Sequence, residues 1–301
     1  MRRKMLLSMI ATAVFAASPA LGQELTGTLK KIKDTGAITL GHRESSVPFS
    51  YYDDKQQVVG YAMDLCARIV DGVKNSLKLA TLETKLNPVT SATRIPLIAN
   101  GTVDLECGST TNNLERQKQV SFTNTHFVTA NRFVSKKAAN LKTVDDLKGK
   151  TIVSTSGTTN IKQITEIGAQ KGLNLNILAA KDHAEAFLMV ETGRATAFVM
   201  EDILLYSLVA GSKSPQDYVI SADELSVEPY GIMLHRDDTP FKKVVDEAMI
   251  ATYRSGAINA IYDKWFLKPI PPKGLNLNVP MSDAFKKVIA NPTDSGDPAV
   301  Y

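Results

Sequence analysis

Apolar strand-like runs alternate with helix-like runs along this chain, and each of four polar clusters rich in arginine and hydroxyls comes directly after a strand-like run. The clusters are Gly41–Asp53, Thr90–Arg94, Cys107–Arg116 and Ser154–Asn160. In an open parallel sheet, the space beyond the carboxyl ends of the strands is where ligands bind. Arginines and hydroxyls gathered there suit capture of a small anion better than catalysis.

The alternation predicts two α/β units. In the first, Ala37–Leu40 reads as a strand. Met63, Cys66, Ile69, Val70, Val73 and Leu77 repeat at helical spacing, and Lys85–Asn87 is a second strand. Ser91–Asn100 is a short helix stopped by Gly101, and Val103–Cys107 is a third strand. This order implies a parallel sheet covered by helices. The pattern restarts with a short helix at Lys142–Leu147 and a strand at Thr151–Ser154. A helix follows at Asn160–Lys171, a strand at Asn176–Leu178, a helix at Asp182–Thr192 and a strand at Ala195–Met200. Tyr230–Leu234 reads as a strand returning to the first unit. A helix then runs from Pro240 to Arg254, another from Ala257 to Phe266, and the prolines at 269–272 end it. The polar end, Asn291–Tyr301, is expected to be loose.

The chain has 301 residues, long for one core and typical of two domains, with the composition of an ordinary globular protein. Arg2, Arg3 and Lys4, a short apolar run to Ala17 and the small residues Ala20-Leu21-Gly22 read as a secretory signal peptide over residues 1–22. Its removal lowers the basic count from 35 to 32 against 31 acidic residues, so nothing argues for nucleic acid or a membrane surface. Both cysteines, Cys66 and Cys107, survive cleavage. In an oxidising compartment they could form a disulfide, and two buried thiols would fit as well. No second Cys or His sits at zinc-ligand spacing, so no metal and no cofactor are expected.

Several groups are expected to converge on a cleft between the units. These are Arg43 after the first strand, Ser109 and Thr111 after the third, Ser156–Thr159 in the second unit, and Glu201 and Asp202 after its last strand. Ser156–Thr159 opens a helix, where free N–H groups suit an anion, although plain capping explains such residues equally well. Arg116 beside Glu115 and Lys118 would pass for a solvated helix face if it stood alone. The four histidines are scattered, and no metalloprotease, nucleophile-elbow or phosphate-loop motif occurs. Phe49, Tyr51 and Tyr52 suit core or turn packing better than a pocket wall.

Gly41–Asp53, Glu106–Asn113, Glu115–Lys118, Ser156–Thr159, Ala180–His183 and Pro269–Lys273 resemble the glutamate/aspartate-binding members of the extracellular solute-binding family for polar amino acids. The likeness spans essentially the whole mature chain. It implies an α/β, two-lobed clam-shell of the type II periplasmic-binding kind, each lobe a mainly parallel sheet flanked by helices. Lobe 1 would comprise residues 24–128 and 231–301, and lobe 2 residues 129–230. The crossing strands would lie near Phe127–Asn131 and Val227–Gly231.

The resemblance also implies a ligand, glutamate or aspartate, and a partner, an ABC permease in the inner membrane, served by a monomer in the periplasm. It assigns Arg116 to an α-carboxylate, helped by Ser109, Thr111, Thr158 and Thr159. It assigns Arg43, Ser91, Arg94 and His183 to a side-chain carboxylate. The family's ammonium partner is usually an aspartate, but Glu201 stands there with Asp202 beside it. Two other functions fit the same fold: a cyclohexadienyl dehydratase-like enzyme, and a sensor domain feeding a membrane kinase.

Overall fold

The computed structural model describes residues 25–301, so the signal-peptide reading lies outside the described residues. Two sheets, each covered by helices, form two lobes. In lobe 1 the strand order is Glu83–Pro88, Ala37–His42, Leu105–Cys107, Met233–His235, Val120–Phe122. The first three strands are parallel, and Met233–His235 pairs antiparallel on both its sides. In lobe 2 the order is Asn176–Ala180, Thr151–Thr155, Ala197–Glu201, Phe127–Lys136, Tyr218–Ile220, with Ser226–Tyr230 also paired to Phe127–Lys136. Again the first three are parallel and the long strand Phe127–Lys136 is antiparallel to its neighbours. Both sheets are therefore mixed, with a parallel core.

The parallel core follows from the sequence alternation. Helix Tyr61–Ser76 buries Leu65, Cys66, Ile69, Val70 and Val73, one apolar stripe at helical spacing, and connects the strands Ala37–His42 and Glu83–Pro88. Helix Thr159–Gln170 does the same in lobe 2, burying Ile164. Trp265 sits on a π-helical turn, Asp263–Leu267, and donates its indole N–H to Asp64 Oδ2 at 2.7 Å. Phe49 is fully buried against Phe127 and Tyr230, and the Tyr51 hydroxyl donates to the Pro271 carbonyl, so both aromatics serve packing.

Two expectations need correction. The run Tyr230–Leu234 is not one strand: Tyr230 ends Ser226–Tyr230 in the second sheet, and Met233 opens a separate strand in the first. Between them the chain changes sheets at Gly231, where a Cβ would meet Phe122 at 3.0 Å. The tail is not loose either. The Thr125 N–H donates to the Thr293 carbonyl, Asn112 and Gln117 side chains donate to the Asp294 carbonyl, and the Tyr301 hydroxyl bonds Thr125 and Ser295. Polar composition was a poor guide because backbone carbonyls make most of these ties.

Cys66 and Cys107 are joined in a disulfide, which settles the alternative left open by the sequence. It ties helix Tyr61–Ser76 to the end of strand Leu105–Cys107, two residues before Ser109. The bridge closes a separation of 41 residues, and removing such a link commonly costs about 2–4 kcal/mol. Cys66→Ser/Cys107→Ser is expected to unfold at lower urea concentration than wild type. Equal urea midpoints for the oxidised wild type and the double variant would contradict a stabilising bridge.

Candidate functional site

Every site residue named from the sequence lies at or just beyond the carboxyl end of a parallel strand. Arg43 follows Ala37–His42. Ser91 and Arg94 follow Glu83–Pro88, Arg94 opening the six-residue helix Arg94–Ala99. Ser109 and Thr111 follow Leu105–Cys107, and Arg116 sits on a 3-10 turn further along. From lobe 2 come Thr158 and Thr159 after Thr151–Thr155, His183 after Asn176–Ala180, and Glu201 as the last residue of its strand.

Arg43, Arg94 and Arg116 are 2%, 2% and 7% exposed, and among the described residues none has a carboxylate within ion-pair distance. Neutral oxygens hold them instead. Arg43 Nη2 donates to Ser91 Oγ at 2.8 Å, and the Arg43 N–H donates to Ser50 Oγ at 2.8 Å. Arg94 Nη1 donates to the Ser109 carbonyl at 3.2 Å and to Thr110 Oγ1 at 2.5 Å. Thr110 Oγ1 in turn donates a hydrogen bond to Glu106 Oε2 at 2.6 Å, linking Arg94 to a buried carboxylate through one hydroxyl. Arg116 Nη1 donates to the Thr111 carbonyl at 2.8 Å, and Nη2 reaches across to the Gly157 carbonyl of lobe 2 at 3.3 Å. Burial, and then the nearby Arg94 guanidinium, lower both Arg43 and Arg116 to about 10.

Four polar atoms of this set are buried without a protein partner: Arg43 Nη1, Arg94 Nε, Ser109 Oγ and His183 Nε2. The other His183 nitrogen, Nδ1, lies 2.8 Å from Thr155 Oγ1. Burial, followed by the charges of Arg43 and Arg94, holds His183 well below its usual range, so the ring is neutral beside them. Thr158 Oγ1 caps helix Thr159–Gln170, accepting from the Ile161 N–H while donating to the Thr155 carbonyl. Thr159 Oγ1 donates to Glu228 Oε2 at 3.1 Å. Both threonine hydroxyls are thus engaged, and the helix's first-turn N–H groups are what this segment offers an anion.

The acidic side differs from expectation. Glu201 is buried and accepts from Thr111 Oγ1 of lobe 1 at 3.3 Å. Asp202, paired with Glu201 in the sequence reading, is turned away: Thr129 Oγ1 donates to it at 2.5 Å and Arg132 Nε at 3.3 Å. Glu201 ends the strand and Asp202 begins helix Asp202–Gly211, so adjacent acids face opposite sides. Glu228 was missed. It is 1% exposed on strand Ser226–Tyr230 and accepts from Thr159, Gln163 and Ser226. An acid flanked by Val227 and Pro229 in a strand run was the available signal, and Glu106 between Leu105 and Cys107 was its counterpart in lobe 1.

Residues 38–268 match the family of bacterial extracellular solute-binding proteins, family 3. The chain belongs to that family. Within family 3, it is 54% identical over 291 residues to the L-glutamate/L-aspartate-binding protein of Pseudomonas aeruginosa, covering 95% of this chain and 96% of that one. It is 47% identical over 278 residues to the glutamate/aspartate import solute-binding protein of Escherichia coli, covering 92% and 91%. Among solved structures it is similar to a mutant of ArgBP from T. maritima, at a TM-score of 0.71 and 26% identity over 79% of this chain and 99% of that one. It is also similar to the ancestral amino acid-binding protein AncCDT-1, a precursor of cyclohexadienyl dehydratase, at a TM-score of 0.66 and 25% identity over 79% and 99%. The two-lobed architecture is that of a type II periplasmic binding protein.

Burial, and next the Glu228 carboxylate, push Glu201 up to about 7 from 4.5. Between those values the folded protein holds a proton that the unfolded chain has released. The stabilising contribution is therefore full below about pH 4.5 and is lost as pH rises through about 7. Glu201→Gln cannot ionise, so in urea melts of refolded, ligand-free protein it should gain on wild type between about pH 5 and about pH 8. A difference that stays flat or shrinks over that range would contradict this setting for Glu201.

Proposed function

We propose that this chain captures L-glutamate or L-aspartate between its lobes and delivers it to an ABC permease in the inner membrane. The observation that carries this reading is the trio of buried guanidiniums without an ion-pair partner. An uncompensated buried charge is expensive, and a molecule with two carboxylates offsets that cost where a neutral one does not. The names of the family 3 relatives from Pseudomonas aeruginosa and Escherichia coli support the same ligands.

In this reading Arg116 meets the α-carboxylate, with Ser109, Thr111 and the helix start at Thr158–Thr159. Arg43, Ser91, Arg94 and the neutral His183 meet the distal carboxylate. Glu201 meets the ammonium, since the Asp202 carboxylate is taken by Thr129 and Arg132. A bound ammonium would favour the ionised form of Glu201, whose carboxyl proton would pass to solvent on binding. Cleft closure joins the halves of the site and excludes water. Lobe boundaries at 128/129 and 230/231, a monomeric state, a periplasmic location after cleavage near Gly22, and a binding rather than catalytic role belong to the same proposal.

Calorimetry on refolded protein tests it. Wild type should bind glutamate and aspartate and reject glutamine, whose amide leaves the distal donors mismatched. Arg94→Ala should weaken dicarboxylate binding by about tenfold or more, the usual loss when a charge-assisted contact is removed. Unchanged affinity in the variant would remove Arg94 from the site. Turnover of prephenate by wild type would replace the binding role with a catalytic one on this fold.

A further inference from the structure

We propose that Gly157 sets how far the lobes close, because in the site segment of lobe 2 its backbone rests on backbone of lobe 1. Gly157 lies in the turn before helix Thr159–Gln170. A Cβ built on it would stand 2.6 Å from Ala92 Cα, 2.7 Å from the Ala92 nitrogen and 2.8 Å from the Ser91 carbonyl carbon. These are main-chain atoms of lobe 1, and they cannot swing aside as a side chain would. The contact falls within the segment that carries Ser91 and Arg94, and Ser91 Oγ is the acceptor for Arg43.

The same glycine takes part in a bond between the lobes, since its carbonyl accepts from Arg116 Nη2 at 3.3 Å. The neighbouring interlobe bond, Thr111 Oγ1 to Glu201, is also long at 3.3 Å. Neither has slack to absorb a separation of the lobes by the width of a methyl group. Glycine is thus required here for two separate reasons: its φ of 75°, and the missing Cβ. Only the second bears on closure.

Gly193, also in lobe 2, separates the two reasons. It has the same φ of 75°, and a Cβ there would meet nothing within 4 Å. Gly193→Ala carries the backbone strain alone, whereas Gly157→Ala adds the clash across the cleft.

This inference rests on the proposed binding site, and the experiment keeps the two apart. Wild type, Gly157→Ala and Gly193→Ala are refolded without ligand. They are compared by thermal melting, by calorimetry with L-glutamate and L-aspartate, and by small-angle X-ray scattering with and without ligand. Both variants should melt a few degrees below wild type in the ligand-free state. Gly193→Ala should bind and contract like wild type. Gly157→Ala should lose about tenfold or more in affinity, as overpacking against fixed atoms commonly costs, and contract less on adding ligand. A Gly157→Ala protein that contracts fully, or binds within about twofold of Gly193→Ala, overturns the proposal. If wild type itself rejects both acids, the ligand reading fails. The three proteins are then compared with whichever amino acid raises the wild-type melting temperature.

Discussion

Three guanidinium groups share one cleft without a carboxylate in salt-bridge range, and the rest of the site is arranged around that cost. Like charges raise each other's energy, and burial removes the water that would screen them. The fold answers with oxygens rather than counter-ions: a serine hydroxyl for Arg43, a carbonyl and a threonine hydroxyl for Arg94, and carbonyls from both lobes for Arg116. Fixed dipoles orient the groups without neutralising them. A full ion pair would lock each arginine to the protein and leave less for a ligand anion to gain.

The buried acids stand one step back from the arginines. Glu106 reaches Arg94 only through Thr110, and Glu228 is held by Thr159, Gln163 and Ser226. Glu201 comes nearest to the join between the lobes, through Thr111. The result is a cleft with guanidiniums at Arg43, Arg94 and Arg116 and one carboxyl, Glu201, at the join between the lobes.

Much of this was legible in the sequence for a geometric reason. Parallel strands bring their carboxyl ends to one edge, so a polar cluster after each strand must share that edge, whatever the loop details. Arg43, Ser109 and Thr111 needed little more than their place in the strand-helix alternation, Ser91 and Arg94 stood in a cluster after a strand, and His183 entered only through the family resemblance. Glu106 and Glu228 were less visible because an acid inside an apolar strand signals a buried partner without saying which one. Glu201 and Asp202 could not be separated, since the direction of each depends on where the strand stops and the helix starts. The change of sheet at Gly231 was hidden too, because an apolar run does not record which sheet accepts its hydrogen bonds.

Arg116 depends on the part of the chain that composition described worst. Its loop is backed by the C-terminal segment: Asn112 and Gln117 donate to the Asp294 carbonyl, and a Cβ at Gly296 would lie 2.7 Å from the Asn113 carbonyl carbon. Thr125, just before strand Phe127–Lys136, is tied to Thr293 and Tyr301. On the other side of the same loop, the disulfide fixes Cys107 to the helix beneath it. The loop from Cys107 to Gln117 is thus clamped at both ends within lobe 1, while Thr111, Glu115 and Arg116 extend from it to Glu201, Lys162 and Gly157 of lobe 2. Rigid mounting on one lobe lets these three side chains present themselves to the other lobe as one unit.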